Sequence, residues 1–292
     1  MLSVLCGIIA FAPKMRSNVH GPLYLYISIG IMELIFIIYA LRNRRSDSVS
    51  HIRIISFVWL ILIIWEMITS VRGIGNPVLF PCPENVFEVF FTKYDVLLKN
   101  VAYSMRLLIT GFTAGLVLAV ILGLVAGWIR EVREFVYPIA NVIAPIPAIV
   151  ISPYLVAVMP SFRSASVMVI VLGVFWPTLL GTINRVENID QRILDLARMM
   201  ELGRGEMIFR VLLPYIFPGV ISSLKVSVTT SVLMLNFAEL MGATHGMGYF
   251  IQNSITYANY TQAVAGIICI GIVVTILNRI VVFIQKKAVY WK

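Results

Sequence analysis

The chain has 292 residues, 60% of them hydrophobic, with a mean hydropathy of +0.93 and a net charge of +9. Soluble domains hold about 45–50% apolar residues, so a soluble globular fold is excluded. The apolar runs are continuous and do not alternate as barrel strands do, which excludes an outer-membrane barrel. The positive charge does not call for nucleic acid, because Lys and Arg collect in the cytoplasmic loops of membrane proteins.

The opening "MLSVLCGIIAFAPK" is apolar but short for a span, and it lacks the basic start of a signal peptide. It reads as an interfacial or re-entrant piece, or as a short additional span. Apolar windows then predict spans at 22–41, 54–70, 99–128, 134–159, 166–184, 216–243 and 262–285. Four basic places fall on one side of this layout: Arg42 to Arg53, Arg130 with Arg133, Arg185 to Arg210, and Arg279 to Lys292. They hold 15 of the 23 Lys and Arg residues. That side is therefore expected to be cytoplasmic, the C-terminus included. Residues 1–50 read as an N-terminal extra membrane segment. Residues 51–292 read as one transmembrane domain carrying a charged loop at 185–215.

Between the second and third spans, "FPCPENVFEVF" has prolines that fix extended backbone, followed by a helix start at Pro83. The span at 134–159 contains Pro138, Pro145, Pro147 and Pro153. Broken backbone at membrane depth is tolerated where it is buried or lines a cavity, so Pro145 and Pro147 are pathway candidates. Ionisable or polar residues inside spans are costly. Arg106, Lys225, Asn236 and Glu239 are therefore pathway candidates too, with an interhelical pair or a snorkelling anchor as the alternative role for the two cations. Glu239 is expected to pack an outer gate. Residues 244–261 turn at Gly246 and Gly248 and read either as an external helical cap or as an interfacial loop.

The charged loop is the densest signal. Arg185 to Arg210 holds five arginines and five acids. Ile189, Ile193, Leu196, Ala197 and Met200 recur at helical spacing, so one face is apolar and the other charged. Gly203 and Gly205 follow, then a second short helix expected to end at Pro214. A short amphipathic helix of this kind suits a groove on a soluble partner.

No catalytic set is visible. Cys6, Cys82 and Cys269 are scattered, and His20, His51 and His245 lie in three separate loops. The chain has no G-x-x-x-x-G-K-[ST] phosphate loop, so it does not hydrolyse ATP by itself and no metal site is expected.

These stretches resemble, in order over residues 75–292, the permeases of type I ABC importers of the nitrate, sulfonate, taurine and bicarbonate branch. The loop resembles the family's EAA coupling loop, matched at Asp195, Leu196, Ala197, Arg198, Val211, Leu213 and Pro214. Counting thirteen residues back from Pro214 lands on Glu201, where the branch usually has glycine. Either the turn is shifted toward Gly203, or the helix continues through Glu201. "FAELMGATHGMGYFIQ" and "LNRIVVFIQKKAVYWK" resemble later family segments, while "VMPSFRSAS" departs from the usual G-x-G turn.

The resemblance implies an all-α polytopic fold with a six-helix family core plus at least one extra N-terminal span, in a bacterial or archaeal cytoplasmic membrane. It implies a homodimeric permease, a cytoplasmic ABC ATPase dimer that binds ATP and Mg, and an external solute-binding protein. It implies ATPase coupling through Asp195, Leu196, Ala197, Arg198, Met200, Glu201, Gly203, Arg204, Gly205, Glu206 and Pro214. The solute implied is a small organic or inorganic anion or a vitamin precursor. A channel or ion-coupled secondary transporter without an ATPase is the alternative reading.

Overall fold

The structure is a computed structural model. It describes residues 1–16, 22–42 and 48–288, apart from the side chains at 40, 42, 48–52, 198 and 204. His20, Arg44, Arg45 and Lys292 lie outside the described residues, as do the side chains of Arg198 and Arg204. Every described regular element is helical: α1 (Leu2–Phe11), α2 (Leu23–Arg42), α3 (Ser48–Glu66), α4 (Pro83–Thr92), α5 (Tyr94–Trp128), α6 (Arg130–Ile143), α7 (Ala148–Val158), α8 (Phe162–Glu187), α9 (Gln191–Met199), α10 (Arg204–Glu206), α11 (Leu213–Leu240), α12 (Met247–Thr256) and α13 (Tyr260–Ala288). Short π-helical stretches, Met67–Val71 and Met207–Leu212, follow α3 and precede α11.

Among the described residues five helices are long and apolar enough to cross a membrane: Arg53–Val71, Tyr94–Trp128, Phe162–Glu187, Met207–Leu240 and Tyr260–Ala288. The expected span at 134–159 is not one straight helix. It is α6 and α7, bent by 95° at the break that holds Pro145 and Pro147. A proline gives no N–H and disfavours helix in the residue before it, so two of them in three residues end α6 and restart the chain. Counted as one broken span, the pair makes a sixth. The chain is thus a multi-pass all-α membrane protein. α1 has 10 residues; such a helix rises about 15 Å, half of the roughly 30 Å hydrocarbon core, so it does not cross alone.

Two compact units divide the chain, residues 1–98 with 250–269, and residues 99–249 with 270–292. The first therefore runs past residue 50. Its core joins Leu5 and Ile9 of α1 to Leu25 and Ile29 of α2, Trp59 and Leu62 of α3 and Phe87 of α4. Lys14 and Arg16, after α1, are tied down by charge. Lys14 Nζ meets the fully buried Glu84 at 2.6 Å, and Ser70 donates to the other oxygen of Glu84 at 3.1 Å. Arg16 donates to the carbonyls of Ile74 and Gly75 at 3.0 and 3.1 Å. Glu33, within α2, accepts from the Trp59 indole at 3.0 Å, which satisfies a charge the sequence leaves unexplained.

In the second unit α5 and α8 approach closely along a stripe of small residues. A Cβ on Gly111, Gly115, Gly123 or Gly127 would lie 2.8, 3.0, 2.6 or 2.6 Å from Ile170, Val171, Thr182 or Val186 respectively. Ala119, fully buried, fills the middle position. Lipid tails give helices no hydrophobic reason to associate, so close backbone contact across small residues supplies the packing energy. Leu107 and Leu108 of α5 then pack with Ile170 and Val174 of α8 and with Val232 and Leu235 of α11.

Candidate functional site

Both ends of α11 carry candidate residues. At its start lies the charged loop. Asp190 accepts the Arg192 amide at 2.9 Å and opens α9. Ile189 and Ala197 are buried in a cluster with Val186 of α8, Met207 and Leu212 of the π-helical stretch, and Ile216 of α11. Ile193 and Leu194 pack against the same cluster. α9 therefore has two apolar stripes. Ile193 and Ala197, with Ile189 just ahead of the helix at the same four-residue spacing, face the chain's own helices. Leu196, Met199 and Met200 are 62, 79 and 71% exposed, whereas Ala197 is 4% exposed. This corrects the expectation that Ala197 lies on the outward face. The periodicity merged two stripes into one, because positions 196 and 197 are neighbours in sequence but about 100° apart around a helix.

The turn after α9 lies at Glu201, which adopts the left-handed conformation with φ 47°. The turn is thus where the family spacing puts glycine, and neither sequence alternative holds: it is not shifted to Gly203, and α9 does not run through Glu201. Gly203 and Gly205 have no positive φ and no close neighbour that a Cβ would strike. Glu206 accepts the Gly203 amide at 3.4 Å and pairs with Arg210 at 3.2 Å. Asp195, Glu201 and Glu206 are exposed.

Pro214 does not end a helix, contrary to expectation. It sits at the second position of α11, directly after the π-helical stretch. The π-helical stretch leads into α11 without a break, and the Leu213 amide reaches back five residues to the Ile208 carbonyl. The wider π turn absorbs the register change ahead of the proline.

At the other end of α11, Glu239 is 1% exposed and fully satisfied. Ser104 Oγ donates to its Oε1 at 2.7 Å, and the Gly248 amide donates to its Oε2 at 2.8 Å. Ser104 in turn accepts the Met247 amide at 2.9 Å, and Asn100 accepts the Gly246 amide at 2.8 Å. Three consecutive amides are thus held by three buried side chains from α5 and α11. These are orphan donors at the start of α12, which no intrahelical partner satisfies. Gly246 has φ 117°, and a Cβ there would lie 2.4 Å from the Glu239 carboxyl. Only glycine fits.

The other pathway candidates do not converge. Arg106 lies one turn or less from Ser104 and so is level with Glu239, whereas Lys225 lies fourteen residues earlier on α11; at 1.5 Å per residue that is about 21 Å away along the axis. Both are exposed. Pro145 and Pro147 are exposed at the α6–α7 break. Asn236 donates to the Val232 carbonyl at 2.8 Å and lines a void of about 10 Å³, room for about one water at most. Asn100, Ser104 and Met199 carry the geometry but were not singled out from the sequence. The signal for the first two was present: polar residues four apart on one face of a span need a partner.

The comparisons agree with this architecture. Residues 97–289 match the family described as binding-protein-dependent transport system inner membrane component. The putative aliphatic sulfonates transport permease of Bacillus subtilis is 24% identical over 80% of this chain and 85% of its own length. The nitrate import permease of Leptolyngbya laminosa is 27% identical over 66% of this chain and 69% of its own. The formylaminopyrimidine transport permease of Halalkalibacterium halodurans is 25% identical over 68% and 80%. The inward-facing MetNI methionine ABC transporter shares the fold, with a TM-score of 0.55 at 18% identity over 68% of this chain and 97% of that one. The chain belongs to the family of binding-protein-dependent transport system inner-membrane components, as an ABC-importer permease.

Proposed function

We propose that two copies of this chain form the transmembrane path of an importer driven by a cytoplasmic ATPase dimer, with an external binding protein delivering the solute. The charged loop and the C-terminus face the cytoplasm in this reading. The observation that carries it is the outward stripe of Leu196, Met199 and Met200, exposed on a helix whose neighbouring stripe is fixed to the spans. Exposed methionines and leucine on a short helix suit an apolar groove. Asp195, Glu201 and Glu206 stand at the rim, where charge sets register and partner choice.

Movement of the docked α9 would pass through Ile189 and Ala197 to the end of α8 and the start of α11. The π-helical stretch is a place where helix register can shift. α11 would carry the displacement as a rigid rod to the Glu239 end, a shear and hinge type of transition. ATP and Mg belong to the partner, and no step of hydrolysis falls on this chain. Small organic or inorganic anions, or a vitamin precursor, are the proposed solutes, in line with the sulfonate, nitrate and formylaminopyrimidine permeases it resembles.

The test is a pull-down of tagged chain from its native membrane in mild detergent, followed by mass spectrometry. Co-purification of a P-loop ATPase at near-equal stoichiometry, lost in Leu196→Glu with Met199→Glu, is expected. An intact chain that brings down no ATPase would overturn the reading.

A further inference from the structure

A second polar feature lies at the charged-loop end, where the last turn of α8 meets the first turns of α11. Arg185 lies flat between two glycines, and its side chain is half-buried. A Cβ on Gly219 of α11 would lie 2.7 Å from its Nε, and one on Gly181 would lie 3.2 Å from a terminal nitrogen. The side chain thus occupies a cradle that any larger residue at 219 would fill. Neighbouring arginines are paired: Arg133 with Glu187 at 3.4 Å, and Arg210 with Glu206 at 3.2 Å. Among the described residues Arg185 has no hydrogen bond or ion pair.

Asn184, Arg185, Asn188, Tyr215, Ile216 and Gly219 line a pocket of about 410 Å³. No carboxylate is among them. The Asn188 amide gives one N–H to the Asn184 carbonyl at 2.7 Å and has a second to give. A partly desolvated cation without a counter-charge is costly. A guanidinium offers five N–H donors in a planar fork that matches an oxyanion. Asn184 and Tyr215 add donors beside it, while the Tyr215 ring and Ile216 supply an apolar wall. The volume exceeds what a bare inorganic oxyanion needs.

We infer that this pocket is an anion site for a sulfonate, phosphate or carboxylate group carried on a small organic body. Two sources present that chemistry: a soluble organic anion, and the phosphate of an acidic lipid headgroup. The site depends only on α8 and α11 and does not rest on the ATPase docking to α9.

The test uses the purified full chain in nanodiscs of neutral phosphatidylcholine. Ethanesulfonate and glycerol phosphate are titrated calorimetrically, and retention of phosphatidylglycerol over phosphatidylcholine is read by native mass spectrometry. Arg185→Gln removes the fork, and Gly219→Ala fills its cradle. Each is expected to weaken binding about tenfold or more, the scale of a lost charged hydrogen bond. Arg163→Gln, exposed at the far end of α8, is expected to bind as the parent does. Saturable binding of the soluble probes that both variants lose assigns the site to a soluble anion. No soluble binding, but selective phosphatidylglycerol retention that both variants lose, assigns it to a lipid headgroup. Binding unchanged in both variants, or absent in both arms with the parent folded, overturns the inference.

Discussion

At one end of α11 Glu239 sits fully buried among donors from Ser104 and Gly248, with Asn100 holding the Gly246 amide. At the other end α9 leaves Leu196, Met199 and Met200 uncovered beside charges in water. The first end is closed on itself: each polar atom has its partner, and a change there is felt as lost stability. The second end is half finished: one stripe of α9 is anchored and the other is bare, so a change on the bare stripe should be felt only when something docks. The same helix connects a site built for rigidity to a site built for contact. Along the 28 residues of α11 they are about 42 Å apart.

The largest expected effect is at the closed end. Gly246→Val combines a positive φ with a clash against the Glu239 carboxyl. Backbone strain alone costs about 1–3 kcal/mol, and displacing Glu239 adds to it, so thermal unfolding in detergent should show a severely destabilised protein. Glu239→Ala comes next, with a loss of about 3–5 kcal/mol for two buried donors left unpaired. Glu239→Gln keeps an acceptor for the Gly248 amide and should recover much of the loss; equal damage from both substitutions would argue against the hydrogen-bond account.

At the open end the contrast lies between neighbours. Ala197→Glu buries an unpaired charge and should cost about 3 kcal/mol or more. Leu196→Glu should change stability by no more than about 0.5 kcal/mol, yet abolish solute uptake in whole cells. Uptake retained in Leu196→Glu would remove the docking role from this stripe. The smallest effect is at the turn. Glu201→Gly relieves a left-handed residue worth about 1–2 kcal/mol, partly offset by the freedom glycine gains when unfolded. A small rise in melting temperature is expected, and a fall would mean the Glu201 side chain contributes more than its backbone costs.

Much of this was legible in the residues. Uncharged windows located the helices, because a bilayer requires length and apolarity and little else. The order of motifs from residue 75 onward located the family. What was not legible depends on direction and partners. Spacing identifies an apolar helix but not which of two stripes its own protein covers, so it does not separate the buried Ala197 from the exposed Leu196. Pro145 and Pro147 announced a break but not a 95° bend. Glycines at 203 and 205 drew the turn toward themselves, while the turn was taken by Glu201 in a conformation that its residue type does not advertise. Glu239 was readable as a buried acid, but Asn100 and Ser104 became its partners only once α5 and α11 were packed together.

The most direct test of the account is cysteine accessibility on a background with Cys6, Cys82 and Cys269 replaced by alanine. Single cysteines at positions 196, 197 and 199 are exposed to a maleimide in inverted membrane vesicles, with and without the ATPase partner. The account predicts rapid labelling at 196 and 199 that the ATPase suppresses, and negligible labelling at 197 in either case. Rapid labelling at 197, or labelling at 196 and 199 that the ATPase leaves unchanged, would contradict it.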